Sequence, residues 1–221
     1  GGGEGGGRGS VGGGGGRRGG SARPPAPGAR GQGGGGARLN TRSRLASALG
    51  GGGAGGVSAG AAHSLAITAS GSVWSWGYGR FGQLGHGDEQ DQLLPKKVEA
   101  LAGRRVVAVS AAGFHSVAIT ADGSVWSWGD GGFGKLGHGN RQHQLLPKKV
   151  EAFAGQRVVA VSAAERHSIA LTADGAVWSW GWGAYGRLGH GDEQLQLLPK
   201  KIEVWAPAPP GHREGVEGWV R

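Results

Sequence analysis

The sequence has no cysteine and no methionine in 221 residues. The first absence excludes disulfide staples, thiolate metal sites and a cysteine nucleophile within this chain. The second extends to position 1, so a chain opening on Gly1 reads as processed or as a piece of a longer protein. No apolar run approaches the roughly 20 residues of a membrane-spanning helix, and none has the apolar core of a secretory signal. Acidic residues are few, 15 against 24 Lys and Arg, for a net charge of +9. That excess is uneven: residues 1–56 hold eight Arg against Glu4, a net +7, and the remainder is nearly neutral. Only the N-terminal arm is basic.

The arm also carries 26 of the 52 glycines and almost no large apolar side chains. Such a segment buries too little surface to offset its ordering entropy, so residues 1–56 are expected to be a disordered Gly/Arg-rich arm. Arg8-Gly9, Arg17-Arg18-Gly19-Gly20 and Arg30-Gly31 resemble arginine–glycine segments that neutralise phosphates and stack on bases, and any nucleic-acid binding is expected through this arm alone. With no aromatic among them, a solvated low-complexity linker is the plainer reading.

From Val57 one stretch recurs three times. Trp74, Trp126 and Trp178 are 52 residues apart, as are Pro95, Pro147 and Pro199. A period on the order of 20–50 residues marks a repeat architecture. The copies divide the chain at 57–108, 109–160 and 161–203, and residues 204–221, with Pro207, Pro209 and Pro210, are expected to be an unstructured tail. In the second copy four strands are expected: Arg105 to Ala111, His115 to Thr120, Ser124 to Trp128 and Lys148 to Phe153. Asp122-Gly123 should supply a tight hairpin in which both residues tolerate positive φ. In the first copy Gly53-Ala54-Gly55-Gly56 replaces Arg105-Val106-Val107-Ala108, so its opening strand is expected to be shortened or missing. Four short strands per unit is the pattern of a β-propeller blade. The fold class expected is all-β, a partial propeller of about three four-stranded blades.

Each recurring motif invites a chemical reading that its spacing argues against. Gly77 to Gly82, Gly129 to Gly134 and Gly181 to Gly186 match G-x-G-x-x-G, yet no helix start follows to supply amide donors to a phosphate. His63, His115 and His167 recur in His-Ser, and His86, His138 and His190 in Leu-Gly-His-Gly; 23 residues apart within a copy, they lack metal-ligand spacing. Blade-stabilising hydrogen bonds, one ring nitrogen donating to a backbone carbonyl, are expected instead. Ser64, Ser116 and Ser168 neighbour histidines on a strand, where successive side chains diverge, so no catalytic pair is expected. Trp74, Trp76, Trp126, Trp128, Trp178 and Trp180 are expected to fill the space between blades. Gly77, Gly129, Gly181, Gly85, Gly137 and Gly189 complete the structural repeat positions. The lysine pairs 96–97, 148–149 and 200–201 are expected on outer strands, where they blunt sheet edges. Candidate partner contacts are Tyr78, Arg80, Phe81, Asp130, Phe133, Trp182 and Tyr185, all on the Gly-rich loops. No catalytic residue, cofactor or metal site is expected.

Val73-Trp74-Ser75-Trp76-Gly77, Phe81-Gly82-Gln83-Leu84-Gly85-His86-Gly87-Asp88 and Pro95-Lys96-Lys97-Val98 together resemble the repeats of the regulator of chromosome condensation family, across about 57–203. The resemblance implies seven blades in complete members and a range of uses. Members that exchange nucleotide on the GTPase Ran use an inserted β-wedge; the uniform 52-residue spacing has no counterpart to it. Members that sense UV-B rely on Gly-Trp-Arg-His-Thr, where this chain has Ala61-Ala62, Gly113-Phe114 and Glu165-Arg166 before its histidines. The wording is nearest to members that join such propellers to a HECT ubiquitin-ligase segment, which this sequence does not contain. The function expected is a non-catalytic protein-interaction module, part of a larger regulator such as a ubiquitin ligase. A Ran-like exchange factor and an RNA- or chromatin-binding protein are the alternatives. The partners expected are proteins, including a small GTPase or a ubiquitination substrate, with self-association through open blade edges and no membrane.

Overall fold

In Val73-Trp74-Ser75-Trp76-Gly77 alternate side chains point to opposite faces, and β-branched and aromatic residues suit a pleated surface. The run forms a strand, and each repeat adds three more. The computed structural model describes residues 54–203. Its first sheet holds β1 (Ala54–Ala59), β2 (His63–Thr68), β3 (Val73–Gly77) and β4 (Gln92–Lys97). The second holds β5 (Val106–Ala112), β6 (His115–Thr120), β7 (Val125–Gly129) and β8 (Gln144–Lys149), and the third β9 (Val158–Ala163), β10 (His167–Thr172), β11 (Val177–Gly181) and β12 (Gln196–Lys201). Each sheet is an antiparallel meander in chain order. The remaining regular elements among the described residues are single 3-10 turns. The expected fold, three four-stranded propeller blades, is the fold observed. The expected arm and tail lie outside the described residues, except that Ala54, Gly55 and Gly56 enter β1.

Three local expectations are corrected. The opening strand of the first copy is present, six residues long, with Val57 opposite Ala66 and Ser58 opposite Leu65. Its ladder is made by backbone groups, which glycine supplies as well as valine. The fourth strand begins earlier than Lys148: β8 starts at Gln144 and contains Pro147, while Glu151–Phe153 is a 3-10 turn. Pro147 is tolerated there because β8 is an edge strand whose register breaks between the Ser127–Lys148 and Gly129–Gln144 pairs. In the hairpin after Thr120 only Gly123 takes positive φ, 84°. The Gly123 amide donates to the Thr120 carbonyl at 2.8 Å and the Thr120 amide to the Ser124 carbonyl at 3.0 Å. Asp122 instead uses its carboxylate, accepting from Thr120 Oγ1 and the Ser124 amide.

The core consists of two seams between blades. In the first, Leu65, Ile67 and Val73 of blade 1 pack against Ala111, Ala118 and Trp128 of blade 2, sealed by Val98 and Leu101. In the second, Val117, Ile119 and Val125 pack against Ala170 and Trp180, sealed by Val150 and Phe153. Trp126 and Trp178 flank the same seams. The four tryptophans of blades 2 and 3 therefore lie between blades, whereas Trp74 and Trp76, of which the same was expected, belong to neither seam among the described residues. Burying a side chain of this class contributes about 1.5–3 kcal/mol, so each seam is a major source of stability.

Candidate protein-docking rim

The histidine–serine motif joins neighbouring blades. His63 Nε2 lies 2.9 Å from Ser116 Oγ, and His115 Nε2 lies 3.0 Å from Ser168 Oγ. The serine adjacent in sequence points away, as expected, but the serine one repeat later faces the histidine. A Ser–His pair therefore forms between blades, not between neighbours in sequence. It is not arranged for nucleophilic attack. Ser116 Oγ donates its proton to the Gln83 carbonyl at 2.8 Å, and Ser168 Oγ to the Lys135 carbonyl at 2.9 Å. With that proton engaged, the hydroxyl can only accept from the ring, so each histidine carries its proton on Nε2. Ser116 and His115 are fully buried, out of reach of any substrate. Burial pushes His63 down from 6.5 to about 4. It pushes His115 to about 3, with the Lys135 charge adding to the effect. Both rings are neutral at physiological pH.

The second histidine set works inside each blade. Ser75 Oγ donates to the Leu84 carbonyl at 2.7 Å and meets His86 Nε2 at 3.0 Å. Ser127 with Leu136 and His138, and Ser179 with Leu188 and His190, repeat this clamp. The serine of Val-Trp-Ser-Trp-Gly thus pins Leu-Gly-His-Gly onto the strand. Where a backbone carbonyl was expected, the Nε2 partner is a serine hydroxyl in both sets. Burial, then the charge of Lys148, lowers His138 to about 4.

Two glycine positions set how closely backbones approach. Gly77 sits at φ 105°, and a Cβ there would lie 2.5 Å from the Ala62 carbonyl oxygen. Gly129 and Gly181 repeat this at the Phe114 and Arg166 carbonyls. Gly85, at φ 76°, leaves room for the next blade's tryptophan: a Cβ would lie 2.9 Å from Trp128 Nε1. Gly137 stands in the same relation to Trp180, whereas Gly189 faces Ile202. Trp128 Nε1 and Trp180 Nε1 donate to the Gln83 and Lys135 carbonyls, each at 2.8 Å.

The loops joining β3 to β4, β7 to β8 and β11 to β12, with the turns before each histidine, form one end of the blades. Two aromatic clusters gather there, one over each seam. Over the first, Phe81 lies 5.2 Å from Phe114 and 6.2 Å from Tyr78, ring centre to ring centre, and His143 stands 5.5 Å from Phe81. Over the second, Trp182 lies 5.5 Å from Phe133 and 6.2 Å from Tyr185. Arg166 sits over Trp182 at 4.7 Å and Arg187 at 4.4 Å, and each also reaches a second ring, Phe133 and Tyr185 respectively. Tyr185 is 83% exposed and Phe133 39%. Both hold positive φ, 64° and 62°, a conformation that costs a bulky residue roughly 1–3 kcal/mol and concentrates at functional sites.

Of the candidate contacts, Phe133, Trp182 and Tyr185 converge in one cluster, and Tyr78 and Phe81 in the other. Arg80 is exposed beside them. Asp130 instead organises its own loop: it pairs with Lys135, which is 3% exposed, accepts from the Gly132 amide at 2.8 Å, and lies 3.2 Å from His143. Burial works to raise its pKa, but the bonds from Lys135 and Gly132 outweigh it and hold the carboxyl below its ordinary value. Phe114, His143, Arg166 and Arg187 belong to the rim and were not singled out as contacts by the sequence. Their signal is weak, since each occupies a repeat position filled by a different residue type in the other copies.

A family model described as RCC1-like domain matches residues 7–215. The human E3 ubiquitin-protein ligase HERC2 is 44% identical over 164 residues, 73% of this chain and 3% of the ligase. The ultraviolet-B receptor UVR8 of Arabidopsis thaliana is 41% identical over 148 residues, 67% of this chain and 34% of the receptor. Among solved structures, human WBSCR16 superposes with a TM-score of 0.63 at 28% identity, covering 68% of this chain and 38% of that one. Prp20p of Saccharomyces cerevisiae follows at 0.60 and 26%, covering 66% and 37%. The chain thus spans about a third of the receptor's length and a small part of the ligase's. With blade topology, seam residues and family model in agreement, the chain belongs to the RCC1-like domain family.

Proposed function

We propose that this chain is a non-catalytic protein-interaction module whose partner docks on the aromatic–arginine rim, acting within a larger regulator such as a ubiquitin ligase. The observation that carries the reading is the Trp182 cluster: two exposed aromatic residues at positive φ, Phe133 and Tyr185, with two guanidiniums stacked against the central ring. Trp, Tyr and Arg are the side chains that dominate binding energy at protein interfaces. The histidine–serine pairs support the non-catalytic part, because their protons are committed to fixed acceptors. Relatives lend the context: HERC2 is a ubiquitin ligase, and yeast Prp20 has been crystallised with Kap60 and studied for binding to Gsp1p and histones.

The test titrates the chain with a Gsp1-type GTPase, with core histones and with an importin of the Kap60 type. At least one is expected to bind, and Trp182→Ala with Tyr185→Ser should weaken it by roughly a hundredfold, the loss typical of a hot-spot pair. Binding unaffected by that double substitution would remove the rim from the account. Release of labelled GDP should stay at its intrinsic rate, since the 52-residue spacing leaves no inserted element to act on the GTPase. Binding to RNA that vanished on deletion of 1–56 would transfer the function to the arm.

A further inference from the structure

The end of the blades opposite the aromatic rim holds a cluster of positive charge. There the β2–β3 hairpin and the turn joining β4 to β5 frame a hollow of about 230 Å³ at the first seam, with Ser70, Ser72, Lys97, Arg104 and Arg105 as its polar lining. That volume is below the roughly 300–1,000 Å³ of pockets for drug-sized ligands, so it suits one small group.

The repeats supply an internal comparison. At the second seam the corresponding residues are Asp122, Ser124, Lys149, Gln156 and Arg157. Two of the five positions differ in charge, Ser70 against Asp122 and Arg104 against Gln156, and both differences make the first seam more positive. With Glu99 and its counterpart Glu151 included, the first set carries a net +2 and the second is neutral. The hairpins differ accordingly. In blade 2 Asp122 accepts from Thr120 Oγ1 and the Ser124 amide, and in blade 3 Asp174 accepts from Thr172 Oγ1 and the Ala176 amide. Blade 1 closes its hairpin without an anion: Thr68 Oγ1 accepts from the Ser72 amide at 3.0 Å and meets Ser70 Oγ at 2.8 Å.

Two acids stand nearby. Glu99, itself 71% exposed, pairs with Lys97 at 3.4 Å. Asp122 borders an adjoining hollow with Arg104 and Arg105, but its carboxylate is engaged by Thr120 and Ser124. Among the described residues neither arginine enters an ion pair. Arg104 is nevertheless held in place, its guanidinium 4.2 Å from the centre of the Trp126 ring. That contact draws on the charge of the group and uses none of its N–H donors.

We propose that this hollow binds a phosphoryl group, carried by free phosphate or by a phosphorylated side chain. A phosphate monoester has a charge of about −1.5 to −2 near neutral pH, which matches the net charge of the lining. Two guanidiniums, an ammonium and two hydroxyls also offer more donors than the two oxygens of a carboxylate can take up. The site lies within the first seam and is independent of the docking rim at the other end of the blades.

The test titrates the full chain with inorganic phosphate, with a phosphoserine peptide and with the same peptide unphosphorylated, at an ionic strength held constant with chloride. At about pH 7.5 the phosphate is chiefly dianionic. The Gly71 and Gly103 amide signals should shift to one-to-one saturation with inorganic phosphate, with the phosphopeptide or with both, and should not move with the plain peptide. Tighter binding of inorganic phosphate identifies a free anion as the source and tighter binding of the phosphopeptide a phosphorylated protein; either order supports the site. Ser70→Asp and Arg104→Gln install residues that the other repeats already fold with, and each should weaken binding at least about tenfold. Arg141→Gln, at an exposed position on the opposite end, should bind like wild type. No saturable shift with either phosphate probe overturns the proposal, as does binding unchanged in Ser70→Asp and Arg104→Gln. A plain peptide that binds equally well, or an equal loss in Arg141→Gln, reduces the effect to general attraction to a basic chain and overturns it too.

Discussion

Mild acid should loosen the seams before it touches any carboxylate. His63 and His115 are neutral in the folded chain, lowered from 6.5 to about 4 and about 3 by burial. The unfolded chain binds protons at the ordinary value, so the stability present above pH 6.5 is lost as the pH falls from there toward the folded values. One pKa unit is worth about 1.36 kcal/mol. Between about pH 7.5 and about pH 5 each ring therefore subtracts about 2 kcal/mol, and the pair about 4 kcal/mol, a large part of a domain's usual 5–15 kcal/mol. The carboxylates act in a separate window. Hydrogen bonds from Thr120 and the Ser124 amide hold Asp122 near 2, and a hydroxyl bond from Thr172 lowers Asp174, so their contribution is lost only below the ordinary carboxylate range. The assay is urea unfolding followed by tryptophan fluorescence, repeated across that pH range. In the His63→Gln, His115→Gln double variant the loss across the window should be smaller by about 4 kcal/mol, because an amide can donate to the serine but does not titrate; the remainder comes from His86, His138 and His167, which burial also lowers. A wild-type stability that changes by less than about 1 kcal/mol over the window would refute the reasoning.

Other outcomes follow from the same contacts. Trp180→Ala should cost about 3–5 kcal/mol in chemical denaturation, since the ring is fully buried in the second seam; Trp76→Ala, on the free face of blade 1, should cost much less. Gly85→Ala should destabilise strongly because its Cβ meets Trp128, whereas Gly103→Ala, at similar φ with open space around it, should cost only about 1 kcal/mol. Asp130→Asn leaves Lys135 buried without its counter-charge and should cost about 3–5 kcal/mol by the same measure. Tyr185→Gly relieves a positive φ, so its stability should stay within about 1 kcal/mol of wild type while partner binding weakens by roughly tenfold.

What the sequence made legible was whatever recurs. A fixed 52-residue offset with a tryptophan pair in each copy is enough to assign blades and to place Trp126, Trp128, Trp178 and Trp180 between them. The bonds that cross a seam were harder to read, because His63 finds its partner 53 residues away in Ser116, one period plus one. Strand alternation sends neighbours apart, and only the stacking of whole repeats brings the next serine round. The position of β8 was misjudged for a different reason: proline reads as a strand start, but a bulged edge strand has positions where no amide is needed. The rim was half visible. Its aromatic members lie in the repeated loops, but Phe114, Arg166 and Arg187 break the repeat, and their role depends on which ring each of them meets across a blade boundary.

The central claim is that His63 and His115 are fixed, neutral donors that join blades in the scaffold beneath the proposed docking rim. Nitrogen-15 NMR of the histidine rings between about pH 7.5 and about pH 5 tests it most directly. His63 and His115 should show the Nε2-protonated neutral form throughout, with no titration in that range. A proton found on Nδ1, or an imidazolium appearing near the ordinary 6.5, would contradict the seam as described and return the Ser–His pairs to consideration as chemistry.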